Sequence, residues 1–484
     1  MQLLKGLFKS QTTYVIAFAF LIVYVGIRSS LVNMTHDEAH SFHNIKNFWY
    51  AEFLCTANSH WLNSLAMKIA LVFNCESVFC LRWFSVFSFI VTCCFGYWFI
   101  RSVEIPGLKA LAFCLLFLNP YLLDYFGLAR GYAGSIMFQC ISLLLFIKGF
   151  ERKNRQFLFT SLAASGFSAI ANYSFVYYFF AFSVIYFYWV HFKEKRRFFS
   201  KAFLFDMFFC MVITSLIIRA LIFMIKCSND FVGAGEPSFL SMFHIFPDGF
   251  LYNKIELNRL WKHALSLLLF SFIALACYYG IAKYKAHNNR LYYFTSIVLS
   301  IMIVFMTINY YCFGLVFPYY RSALLLFIPA ISILILFARF KLMGFRFFIA
   351  FSFSLCILLI VNFFLDVNMK YTLDFKEQAD SEDCFNRVKN LKAKHIGISP
   401  ELYGVFANYY QTTDTKKYEY IGDFIHTWRP KGLCPVNNKL AEYDYLILFP
   451  PYDISYYKNS LIKLNGIYLS PTTKNLILRV QKKP

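Results

Sequence analysis

Long apolar runs recur along this chain and are broken by short polar turns. Eleven of them approach the roughly 20 residues that a helix needs to cross hydrocarbon. They lie at 12–30, 82–100, 107–123, 132–148, 156–172, 174–190, 203–225, 263–282, 292–311, 321–338 and 346–365. The pattern predicts a polytopic α-helical membrane domain over 1–365. A further apolar stretch, 61–73, is about 13 residues long and carries Asn63 and Lys68. It is too short to span and reads as an interfacial helix. The first run lacks a small-residue cleavage site and reads as an uncleaved anchor.

Beyond 365 the pattern changes. Segments 395–399, 443–449 and 475–480 read as strands, and 375–393 has helical character. A small α/β domain over 366–484 is expected.

Composition agrees with the pattern. The chain is 59% hydrophobic, 21% aromatic and 15% charged, which excludes an ordinary soluble globular protein. The net charge of +21 invites a nucleic-acid reading, but the basic residues gather in short loops. One cluster is Lys148, Arg152, Lys153 and Arg155, and another is Lys193, Lys195, Arg196, Arg197 and Lys201. Lys283, Lys285 and Arg290 form a third, and Arg339, Lys341 and Arg346 a fourth. Short basic loops mark the cytoplasmic side, and no nucleic-acid module is visible. With Lys5 and Lys9 inside, eleven spans put the tail outside, together with loops 31–81 and 226–262. Gly233-Ala234-Gly235-Glu236-Pro237 predicts a mobile stretch in the second loop. Most of the 14 cysteines suit a buried apolar role, whereas Cys384 and Cys434 in the tail are candidates for a disulfide if it is outside.

Polar residues then collect at the predicted outer face. Asp37-Glu38 follows the first span directly. Acids there suit a helix start, but carboxylates beside hydrocarbon also mark function: a base for a hydroxyl, or a hold on a divalent cation. His36, His40 and His43 share one helical face if this stretch is helical and are candidates for a metal, though interfacial histidines that simply contact water are commoner. Asn58, His60 and Asn63 open the interfacial helix, either as caps and anchors or as hydrogen-bond donors to a substrate. Asp124, Arg130 and Tyr132 lie in the loop after the third span, broken by Pro120 and Gly127. Arg82 precedes the second span and Tyr320-Arg321 opens the tenth. These arginines either snorkel or fork onto a phosphate, and external arginines run against the positive-inside trend. No Walker or dinucleotide fingerprint is present.

This arrangement resembles the GT-C superfamily of integral-membrane glycosyltransferases. It is nearest the branch of protein O-mannosyltransferases and lipid A aminoarabinose transferases. The likeness rests on the acidic pair Asp37-Glu38, the Asn58-x-His60-x-x-Asn63 element, the 128–132 run Leu-Ala-Arg-Gly-Tyr and Tyr320-Arg321, and covers residues 12–365 in architecture. The resemblance implies inverting transfer from a polyprenyl-phosphate sugar to a glycolipid, glycan or protein acceptor. Asp37 would be the general base, with Glu38 orienting the acceptor or supporting Asp37. Arg130, Arg321, Arg82 and His60 would bind the donor phosphate, with Asp124, Asn58, Asn63, Tyr132 and Tyr320 in support. Some members use a divalent metal, and no clear ligand set is visible here. A bacterial inner membrane is the expected location. A lipid-linked glycan flippase and a glycan ligase or polymerase are the alternatives; the first would show inverted repeats, the second a late catalytic loop.

Overall fold

The structure is a computed structural model. It describes residues 10–47, 60–193, 200–227, 235–252, 258–283, 289–342, 346–391, 395–398, 402, 405–406, 409, 417–420, 443–448 and 462–482. Among these, eight helices are long and apolar enough to cross a membrane, or nine if one bent pair counts as a single span. The chain is a multi-pass membrane protein. Helices are the economical way to carry such runs through lipid, because each backbone polar group is satisfied within its own segment.

Each of the eleven predicted spans coincides with a helix, with three departures from the expected form. One is the last span, where the apolar helix among the described residues is Ala350–Asp366 and falls short of a full crossing. Span 107–123 is Pro106–Phe117 followed by Pro120–Phe126, bent by 55°. Pro120 cannot continue the first helix, and the Asn119 side chain accepts from Leu122 N at 3.0 Å to start the second. Span 156–172 is Arg155–Ala171, 17 residues long and so short of the length of its neighbours. The 61–73 stretch is the helix Trp61–Val72, 12 residues long, as its length implied.

By compactness the chain forms two units, and they do not follow a single cut at 365. One comprises Met1–Gly26, Glu52–Ile69 and Leu81–Val367. The other joins Ile27–Ala51 and Ala70–Cys80 to Asn368–Pro484. Parts of the first loop therefore belong with the tail.

In the helical unit, Gly131–Glu151 and Arg155–Ala171 form a tight antiparallel pair. Ser135 Oγ donates to Ser168 O at 2.7 Å and Ser168 Oγ donates back to Ser135 O at 2.8 Å. Small residues let the two backbones approach, and the hydroxyls join them. Asn154 caps the second helix through Gln156 N and Phe157 N. Two-residue strands β1 (Gly235–Glu236) and β2 (Phe317–Pro318) pair antiparallel, tying the second loop to the chain before Tyr319.

The tail unit holds a five-stranded sheet of β3 (His395–Ile398), β4 (Lys417–Tyr420), β5 (Tyr445–Leu448), β6 (Ile462–Leu469) and β7 (Leu476–Lys482), in the order β4-β3-β5-β7-β6. The first three run parallel, and β6 and β7 add antiparallel. Helix Ser381–Lys389 buries Cys384, Phe385 and Val388. Asp380 accepts from Thr472 N at 2.8 Å and Thr473 N at 2.7 Å. Burial alone would raise its carboxyl, but these bonds hold it below the usual carboxylate range. Arg28, from the first apolar run, donates through Nε to Asn368 O at 2.9 Å. Cys384, offered as half of a disulfide, is a buried free thiol pushed up to about 12 by burial. The disulfide among the described residues is Cys75–Cys80, in the first loop.

Candidate active site

Asp37 and Glu38 sit in the first turn of helix His36–Asn47, within the tail unit. The Thr35 side chain accepts from Glu38 N at 3.3 Å, and Glu38 Oε2 accepts from Thr35 N and Thr35 Oγ1, both at 3.0 Å. That is a reciprocal capping box, which satisfies two orphan donors of the helix start. Glu38 Oε2 therefore serves the helix start, and the residue has no exposure. Asp37 is 6% exposed, and its Oδ1 lies 3.4 Å from His36 Nδ1. His36 N donates to Gln378 Oε1 at 2.7 Å, fixing the start of the turn. A carboxylate in the first turn is also favoured by the helix macrodipole.

The three histidines of this helix do not converge. His40 Nδ1 pairs with Asn44 Nδ2 and His43 Nδ1 with Asn47 Nδ2, each at 3.3 Å. Among the described residues, no group of three or more His, Cys, Asp or Glu is placed to hold a metal ion.

In the helical unit, residues 128–131 are gripped from both sides. Asn63 Nδ2 donates to Ala129 O at 2.7 Å and Ser85 Oγ donates to Leu128 O. Trp83 Nε1 donates to Ala66 O at 3.0 Å, which joins the helices bearing those two side chains. A Cβ at position 131 would stand 1.8 Å from Ala171 O and 2.9 Å from His60 Nδ1, so Gly131 is what permits this close approach. The His60 ring lies 5.7 Å from that of Tyr132, which lies 4.7 Å from Tyr125. His60 and Asn63 are thus drawn to the segment that carries Arg130 and Tyr132. Arg82, Asp124 and Arg130 are all buried. Asn58, Cys434 and the Gly233-Ala234 pair lie outside the described residues.

Arg321 keeps different company. It is half-buried in the turn Tyr320–Leu326, where Tyr319 N donates to Ser322 Oγ at 2.8 Å. The Tyr319 and Tyr320 rings are 4.0 Å apart, and Tyr320 has a left-handed φ of 45°.

Several residues escaped the sequence reading. Tyr252 caps helix Ile245–Leu251 with a left-handed φ of 46°, and its Oη donates to Asp124 Oδ2 at 2.7 Å. Asp248 Oδ1 pairs with Lys262 Nζ at 2.9 Å. Burial raises the Asp248 carboxyl, against the opposing pull of Lys262. His244 lies 4.8 Å ring to ring from His263 and 6.1 Å from Tyr319. Burial and the neighbouring His263, Lys262 and Arg259 lower it to about 4, so it is neutral near pH 7. The one signal available in advance was an acid and a histidine set among aromatics in Phe243-His244-Ile245-Phe246-Pro247-Asp248.

No family model matches the sequence, and no curated protein matches it. Solved structures do. The chain is similar to ArnT from Cupriavidus metallidurans in the apo state, with TM-score 0.52 and 10% identity over 96% of this chain and 98% of that one. It is similar also to that protein bound to undecaprenyl phosphate, with TM-score 0.54 and 10% identity over 97% and 98%. The chain has the GT-C fold that its sequence resembled, with the small C-terminal sheet domain included.

Proposed function

We propose that this protein is an inverting glycosyltransferase that moves a sugar from a polyprenyl-phosphate donor to an acceptor hydroxyl at the extracytoplasmic membrane face. The observation that carries the reading is the likeness, over 97% of the chain, to a structure solved with undecaprenyl phosphate. The Cys75–Cys80 disulfide favours an oxidising compartment for the first loop, in line with the basic clusters on the other side. A bacterial inner membrane suits both.

Asp37 takes the proton of the acceptor hydroxyl. The acceptor oxygen bonds to the anomeric carbon from the face opposite the phosphate, and the bond from that carbon to the phosphate oxygen breaks. Polyprenyl phosphate leaves with the charge it gains. Arg130, Arg321 and Arg82 stabilise that charge, and His60 donates to the phosphate, since donors fixed in advance act where charge develops. Glu38 keeps Asp37 in place through the helix cap.

The test uses purified protein, radiolabelled polyprenyl-phosphate sugars and a membrane extract as acceptor source. Label should pass to an acceptor with release of polyprenyl phosphate, and Asp37→Asn should slow this by about 10²–10⁴-fold. Wild-type rates in that variant would remove Asp37 as the base. Label crossing the bilayer of proteoliposomes without transfer would point to a flippase. A chelator added to the same assay decides whether a divalent metal takes part.

A further inference from the structure

The transfer step leaves unused a polar cluster in the second external loop. His244 begins helix Ile245–Leu251, and Asp248 follows one turn on, with Asp248 N bonded to His244 O at 3.0 Å. The helix is held firmly. Tyr252 reaches Asp124, Asn362 Nδ2 donates to Phe250 O at 2.6 Å, and a Cβ at Gly249 would stand 3.0 Å from Asn119 Nδ2. His244 is 4% exposed and Asp248 5%. His244 Nε2 and Asp248 Oδ2 are nevertheless buried without a hydrogen-bond partner among the described residues. Native folds pair nearly all such atoms, so two on consecutive turns of one pinned helix mark a place where a ligand supplies the partner.

The chemistry narrows that ligand. A phosphate would meet the Asp248 carboxylate oxygen itself, since Lys262 pairs with the other oxygen of that group. A hydroxyl suits both atoms: it donates to the carboxylate oxygen, and a neutral imidazole nitrogen either accepts from or donates to it. Tyr319, whose ring lies 6.1 Å from that of His244, is two residues before Arg321. We infer that His244 and Asp248 form a hydroxyl-reading subsite for the sugar carried on the polyprenyl phosphate, beside the Arg321 turn. This rests on the transferase reading and adds the residues that select its sugar.

The experiment titrates the full-length protein in nanodiscs with undecaprenyl phosphate. The same titration is run with undecaprenyl phosphates bearing a hexose, an N-acetylhexosamine or an aminopentose. At least one sugar-bearing lipid should bind wild type about tenfold more tightly than the bare lipid, as two added hydrogen bonds allow. His244→Phe and Asp248→Asn should lose that increment and keep the bare-lipid affinity, which also reports that they fold. The inference is overturned if no sugar adds affinity to wild type, if both variants keep the increment, or if bare-lipid binding falls with it. Failure of the transferase reading looks different: wild type would bind neither bare nor sugar-bearing lipid, and the inference would fall with it.

Discussion

Just past the C-terminal end of helix Gly131–Glu151, Asp206 Oδ2 accepts from Tyr186 Oη at 2.8 Å, from His191 Nε2 at 2.9 Å and from the Arg155 guanidinium. Near the other end of that helix lie Arg82, Asp124 and Arg130, also buried, with Tyr252 brought onto Asp124 from a loop far along the chain. The first set draws on three neighbouring helical segments and binds the chain to itself. The second hangs on the short helix Pro120–Phe126 and on helix ends, next to the connections that vary most freely and carry function on a rigid scaffold. Buried charge thus secures helices at one end of this helix, and at the other gathers where the proposed transfer reaction would use it.

Substitutions at the two ends should separate these uses. Asp206→Ala strips the shared acceptor and leaves Arg155 and His191 without it. Breaking a buried pair from one side costs about 3–5 kcal/mol, so thermal unfolding in detergent should fall well below wild type while the rate per folded molecule holds. A catalytic defect without a stability defect would reverse the comparison. Arg130→Ala is expected to cost about 3 kcal/mol in transition-state stabilisation, or 10²–10³ in rate, with the melting temperature little changed. Unchanged donor use would move Arg130 to the structural side.

Smaller effects sharpen the contrast. Tyr252→Phe removes one hydrogen bond to a carboxylate and should cost about 1.5–3 kcal/mol, read as faster proteolysis within 235–252; equal cleavage rates would show that the bond does not hold the loop. Glu38→Gln preserves a capping box, since Gln serves as well as Glu at that place, so stability should shift by about 0.5 kcal/mol or less and transfer should persist. Loss of transfer in a stable Glu38→Gln protein would return Glu38 to the chemistry.

The spans were legible because a membrane helix is a local statement: length, apolarity and the charge of adjacent loops decide it. The order of motifs was enough to reach the GT-C fold. The capping box was also legible, as Thr35-x-x-Glu38, yet the acid pair was taken together, and only the coordinates separate the capping Glu38 from Asp37. The cysteines needed the coordinates in a similar way. Cys384 and Cys434 were offered as a candidate pair, whereas among the described residues Cys75 and Cys80, five apart, form the disulfide and Cys384 is a thiol.

What the sequence alone determined is where the chain crosses lipid and which polar residues lie at the ends of the spans. Burial of apolar surface follows the local period, and that period is written residue by residue. Tertiary structure decided the partners. Tyr252 and Asp124 are 128 positions apart, and Arg155 and Asp206 are 51. A hydrogen bond needs two groups within about 3 Å at a set angle, a condition met only once helices have packed and loops have closed.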